Sequence, residues 1–156
     1  MVMKVYELNI PSNRGLTNIE LIEYIKKLNI RGCRGIFMRN TLPQEPKEKE
    51  CAIMNFNKSD EPGSHWVCYY KNGKRRIYFD SFGQVTPTEL QKYLKTEKEF
   101  EHERNVIQRN TDIVQHINTD VCGHLCLYVL TALTREHLSY QEVLNSLNDG
   151  YTQGDW

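Results

Sequence analysis

Between Thr17 and Leu28, apolar Leu21, Ile22, Ile25 and Leu28 recur at helical steps, and Thr17 with Glu20 three positions on forms a capping-box pattern. This predicts a helix that packs one face on a core. In RGCRGIFM two glycines precede a short apolar run, which predicts a turn into a strand, and PQEPKEKE then reads as a polar, mobile loop. CAIMNF, HWVCYYK and RRIYFDSF are rich in β-branched and aromatic residues and predict three strands. Thr86, Pro87 and Glu89 supply an N-cap, a first-turn proline and a reciprocal carboxylate for a helix from about Pro87 to Leu94. The charged KTEKEFEHER passes outside. A short strand is expected between Val106 and Gln115, a long apolar helix from near Val121, and a last helix capped by Ser139 and Glu142. The tail YTQGDW reads as loose from about residue 150. With no internal repeat and no linker between two cores, the pattern predicts a single α+β domain over residues 1–156.

Asn72-Gly73 is a strong hairpin signal, because both residues accept the positive φ of a type I′ turn. With those two as the turn, Lys71 faces Lys74, Tyr70 faces Arg75 and His65 faces Asp80. Facing residues project to one side with Cβ atoms about 4.5–5.5 Å apart, within reach of an imidazole–carboxylate hydrogen bond. That geometry suits a base and its orienting acid. A register slip of one residue would put the two side chains on opposite faces.

In NTDVCGHLCLYVL, Cys122 falls in the first turn of the predicted helix, where unpaired backbone N–H groups and the helix dipole favour a thiolate. Gly123 is expected to let a substrate approach closely, and Trp66 and Tyr69 to wall a cleft or join the core. Cys126, a full turn deeper, reads as structural. A metal site in CGHLC is disfavoured, since His124 points away from the face that Cys122 and Cys126 share. Gln115, seven residues before Cys122, is a candidate oxyanion donor, with Gln108 as a competitor.

Composition adds limits. The 156 residues balance twenty Lys and Arg with twenty Asp and Glu, so no global charge argues for nucleic acid. Locally, KNGKRR offers Lys71, Lys74, Arg75 and Arg76 as candidates for DNA contact, against the plainer reading of a solvated hairpin tip. Five cysteines without a CxxC pair, and no leader-like N-terminus, lead to the expectation of an intracellular, reducing setting. No window approaches the run of about 20 apolar residues that a membrane span needs. Activation at Cys122 leads to the expectation that iodoacetamide labels it ahead of Cys33, Cys51, Cys68 and Cys126.

The sequence resembles the adenovirus-type cysteine endopeptidases, of one clan with the SUMO- and ubiquitin-like-specific proteases. GSHWVCYY is similar to that family's His-Trp strand, YFDSFG to its acidic residue in a strand ending Phe-Gly, and VQHINTDVCGHLCLYVL to its Gln followed by Cys-Gly at a helix head. The seven-residue step from Gln115 to Cys122 resembles the adenovirus branch, whereas Asp80 is the acid more usual elsewhere in the clan. RGIFMRNTLP looks most like the adenoviral-like proteases of Polinton or Maverick elements and adintoviruses. The resemblance implies a central mixed sheet flanked by helices, Cys122 as nucleophile, His65 as general base and then acid, Asp80 as orienter and Gln115 as oxyanion donor. It also implies a monomer that cuts beside glycine in capsid or core precursors, with no cofactor for the chemistry but a peptide or DNA activator, in a host nucleus or virion. Removal of SUMO, ubiquitin or a related modifier is the alternative enzyme reading. A catalytically inactive binding module of the same fold is the other.

Overall fold

The computed structural model of the chain describes residues 3–61, 65–94 and 107–156. Strand-forming segments line up in chain order as one mixed sheet: β1 (Cys33–Met38), β2 (Lys49–Asn55), β3 (Trp66–Asn72), β4 (Arg75–Phe79) and β5 (Gln108–Arg109). β1 runs parallel to β2, β2 to β4 form an antiparallel meander, and β5 is parallel to β4. The described helices are α1 (Met3–Glu7), α2 (Asn18–Leu28), α3 (Thr88–Leu94), α4 (Cys122–Arg135), α5 (Tyr140–Ser146) and α6 (Asp149–Gln153).

Side chains alternate across the strands and feed two cores. Cys51, Ile53, Cys68, Ile77 and Phe79 pack with α4 on one face. Ala52, Met54, Val67, Tyr69 and Tyr78 pack with Leu90 and Leu94 of α3 on the other. Because both faces are covered, the central strands read as near-continuous apolar runs. α4 is buried from Cys122 through Leu133, as a helix apolar all round must be, and it lies along β3.

The capping boxes at Thr17–Glu20 and Ser139–Glu142 both form. At Thr86 the expectation fails: the Glu89 carboxylate takes Arg39 at 2.8 and 3.0 Å instead, a charge-assisted pair that outweighs a local cap, and the helix starts at Thr88. The loop reading of PQEPKEKE also ends early. Glu50 is a buried member of β2, whose carboxylate accepts from Tyr69 and Tyr93 hydroxyls at 2.7 and 2.8 Å and faces Arg34 at 3.4 Å. The tail is not loose. Asn148 caps α6, Gly154 ends it at φ +93, and the Trp156 indole donates to the Tyr151 carbonyl while its ring lies 5.3 Å from that of His124. KTEKEFEHER and Val106 lie outside the described residues.

The hairpin register differs from the expected one by two positions. Asn72 pairs with Arg75 and Cys68 with Phe79, so Gly73 and Lys74 form the turn. Gly73 carries φ +61 and Lys74 does not enter the left-handed region, the pattern of a type II′ turn with glycine first. The cause is the third strand. Asn72 is held extended by pairing with Lys49, and Gly73 N–H donates to the Glu48 carbonyl at 2.9 Å. A slip of two preserves face parity, so His65 and Asp80 stay on one side as diagonal neighbours rather than facing partners.

Candidate active site

His65 immediately precedes β3 and Asp80 immediately follows β4, which places them at the same end of the antiparallel pair. His65 Nε2 lies 2.7 Å from Asp80 Oδ1. The Asp80 side chain is fully buried and that of His65 is 12% exposed. Asp80 is fixed by its surroundings: Phe82 N–H donates to Oδ1 at 2.8 Å, and the Asn110 side chain bridges Asp80 N–H at 3.1 Å and its carbonyl at 2.5 Å. The Tyr140 hydroxyl in turn lies 2.9 Å from Asn110 Oδ1. Asn110 and Tyr140 carry no local signal of this role, because a loop amide and a helix tyrosine meet the acid only through the tertiary fold.

Cys122 is the first residue of α4, and Val121 before it supplies no side-chain cap. The N–H groups of the first turn are thus left for an anion. Cys122 Sγ accepts from Trp66 N–H at 3.5 Å and hydrogen-bonds to the His65 ring. Burial opposes a charge on His65, but hydrogen bonds to Asp80 and Cys122 and their negative charge outweigh it and push its pKa up to about 9. The Phe82 ring stacks on the imidazole with centroids 4.9 Å apart. The site is built to hold an imidazolium between a carboxylate and a sulfur.

Cys122 opens onto a cavity of about 510 Å³ whose walls include Leu16, Phe37, Met38, Asn55 and Trp66. Trp66 is braced there by its indole N–H, which donates to the Leu16 carbonyl at 2.9 Å. Tyr69 instead faces the opposite core, tied to Glu50. A Cβ on Gly123 would meet Leu21 and Trp66 at 3.3 Å, so its smallness serves close packing of α4.

The Gln115 carboxamide is buried between the acid loop and the helix entrance. Its Oε1 accepts from Ser81 Oγ at 2.6 Å, and its Nε2 donates to the Thr119 carbonyl at 2.6 Å. Gln108 lies exposed on β5, beside Ile77. Ser81 O accepts from both Val114 and Gln115 N–H, and Gly83, at φ +68, lies so close to the 111–112 backbone that a Cβ would sit 2.5 Å from Thr111 O. Gly83→Ala is therefore expected to destabilise the fold by about 2 kcal/mol through strain and overpacking. A urea titration checks this, and an unchanged midpoint would show that the acid loop does not depend on this contact.

The side chains of CGHLC diverge. His124 Nε2 lies 2.6 Å from the Pro11 carbonyl, while Cys126 hydrogen-bonds to Cys68 beneath the sheet. Among the described residues no group of three His, Cys, Asp or Glu is arranged to hold a metal ion. The basic hairpin does not form an open cationic face. Lys71 and Arg76 are 7% and 3% exposed, Lys71 Nζ donates to the Glu48 carbonyl, and Arg75 donates to the Leu138 carbonyl while lying over the Tyr70 ring. Facing positions on the sheet, rather than the charge run, decide where Lys71 and Arg76 go, and Lys74 is the exposed member. No described helix is long and apolar enough to cross a membrane.

No family model matches the chain, and no curated protein sequence matches it. Solved structures do. The ASFV pS273R protease superposes with a TM-score of 0.62 at 15% identity, over 91% of this chain and 66% of that one. Its selenomethionine form gives 0.58 at 16% identity over the same shares. The SUMO protease Ulp1, with its catalytic cysteine oxidized to a sulfinic acid, gives 0.47 at 14% identity over 92% and 88%. The chain thus spans just under two-thirds of the ASFV protease's length, and over that span its α+β architecture, a five-stranded mixed sheet with flanking helices, is the fold it has in common with that protease.

Proposed function

We propose that this protein is a cysteine endopeptidase with Cys122 as nucleophile, His65 as general base and acid, Asp80 as orienting acid and Gln115 as oxyanion donor. The observation that carries the reading is the imidazole held 2.7 Å from a buried carboxylate while bonded to a sulfur at a helix N-terminus. Cys122 thiolate adds to the substrate carbonyl, and the Cys122 backbone N–H with the second Gln115 amide hydrogen receives the oxyanion. His65 gives its proton to the leaving amine as the C–N bond breaks, leaving a thioester. Neutral His65 then takes a proton from water, the resulting hydroxide adds to the thioester, and the acid leaves as the thiolate–imidazolium pair returns.

The motif resemblance and the shared fold support polypeptide substrates. The substrates we assign are capsid or core precursors of a virus or transposon, cut beside glycine, in a host nucleus or virion, with a peptide or DNA as activator. Fluorogenic peptides with glycine at the scissile bond, beside ubiquitin and SUMO conjugates, test this with and without DNA. Peptide cleavage supports the reading. Conjugate cleavage alone would replace it with a deconjugating protease; silence in every arm means either a missing activator or an inactive binding module, and preferential iodoacetamide labelling of Cys122 decides between them. Gln115→Ala is expected to lower kcat by about 10²-fold with KM little changed, because the oxyanion exists only beyond the ground state. Steady-state kinetics checks this, and an equal rise in KM at constant kcat would remove Gln115 from the oxyanion site.

A further inference from the structure

Away from Cys122, a second pair of thiols is positioned for chemistry. Cys33 on β1 and Cys51 on β2 are facing partners in the parallel ladder, and their thiols bear on each other while Cys33 Sγ donates to the Gly35 carbonyl at 3.9 Å and Cys51 Sγ to the Arg31 carbonyl at 3.8 Å. Adjacent strands lie about 4.8 Å apart, inside the Cα separation of about 4.4–6.8 Å that a disulfide spans. The ladder is irregular just after Cys33, where Gly35 stands at φ +120, so the backbone there is not held by uniform pairing. Cys33 is half-buried on the edge strand, within reach of a small solute, and Cys51 is completely buried behind it. The Cys51 thiol beside it lowers the Cys33 pKa against the effect of burial, while the same proximity and burial push the Cys51 thiol well up. One accessible, thiolate-prone sulfur therefore sits against one protected thiol, the arrangement of an attacking and a resolving cysteine.

We propose that Cys33 and Cys51 form an oxidisable dithiol site that takes hydrogen peroxide as its oxidant. The Cys33 thiolate attacks peroxide, an S–O bond forms as the O–O bond breaks, and hydroxide leaves to accept the proton that Cys33 released. Sulfur is oxidised and peroxide reduced. Cys51 sulfur then attacks the sulfenic sulfur, the S–O bond breaks, and the departing hydroxide takes the Cys51 proton as water. Two thiols and one peroxide thus become one disulfide and two waters. The new bond ties β2 to the strand whose Phe37 and Met38 wall the Cys122 cavity. Cys68 and Cys126 do not compete, because both are buried between the sheet and α4. The site stands independently of the reaction assigned to Cys122.

The test uses the folded full chain carrying Cys122→Ser, so that oxidation of that thiol does not intrude. After peroxide treatment and alkylation, peptide mapping without reductant is expected to show a Cys33–Cys51 cross-linked peptide, lighter than its two parts by about 2 Da and cleaved by dithiothreitol. Cys51→Ser in the same background is expected to divert Cys33 to sulfinic acid, and Cys33→Ser to leave Cys51 a free thiol. No cross-link while Cys33 gains oxygen with Cys51 present would overturn the proposal, as would a Cys51–Cys68 link.

Discussion

Cys122→Ala is expected to reduce peptide cleavage by on the order of 10⁴-fold or more while leaving the fold in place. The side chain is small and nearly buried at the first position of α4, and alanine suits a helix, so little packing is lost. What disappears is the sulfur that accepts the Trp66 N–H and bonds His65, and with it the covalent route. Progress curves at enzyme concentrations high enough to see the residual rate, beside a thermal melt of both proteins, separate chemistry from stability. Cleavage retained by a folded variant would place the nucleophile elsewhere.

Asp80→Asn is expected to cost about 10²- to 10⁴-fold in kcat/KM, and its pH profile carries the diagnosis. His65 titrates up to about 9 because Asp80 and Cys122 hold its charged form against burial. The wild-type rate should therefore fall on an alkaline limb near pH 9, as the imidazolium that protonates the leaving amine loses its proton. Removing the carboxylate lowers the His65 pKa, so the limb moves to lower pH. Stability follows the same sign. A folded-state pKa raised above the unfolded value of about 6.5 contributes stability fully present below that pH and lost as pH rises through about 9. Asp80→Asn should lose much of that contribution in acid and neutral solution and little of it above pH 9. Among the described residues Oδ2 of Asp80 is buried with no hydrogen-bond partner, so an amide there adds an unsatisfied group and a further stability loss. A profile with an unmoved alkaline limb would remove Asp80 as the group that sets the His65 charge.

Local patterns reach different distances into this structure. The two capping boxes and the apolar run of α4 are legible because each involves neighbours within one or two turns. The shared side of His65 and Asp80 was also legible, since a two-residue period sets which face a side chain takes. The register was not, because pairing of β2 with Asn72 decides where the hairpin turns. Glu50, Lys71 and Arg76 read as loop or surface by type, yet Tyr69, Tyr93 and the sheet itself give them inner places, and Glu89, read as a cap carboxylate, pairs with Arg39 instead. Trp156, read as tail, is drawn in by His124 and Tyr151.

The sequence by itself determined the types of β1–β5 and α2–α5, the α+β class, and that an imidazole and a carboxylate share a face while a cysteine heads a helix, because periodicity, caps and side-chain chemistry are properties of adjacent residues. Only the tertiary structure decided that His65 and Asp80 meet at 2.7 Å, that Asn110 and Tyr140 hold the acid, and that Gln115 bridges Ser81 and Thr119. Those contacts join residues far apart in the chain, and their partners are selected by packing of the sheet against α4, which no local pattern encodes.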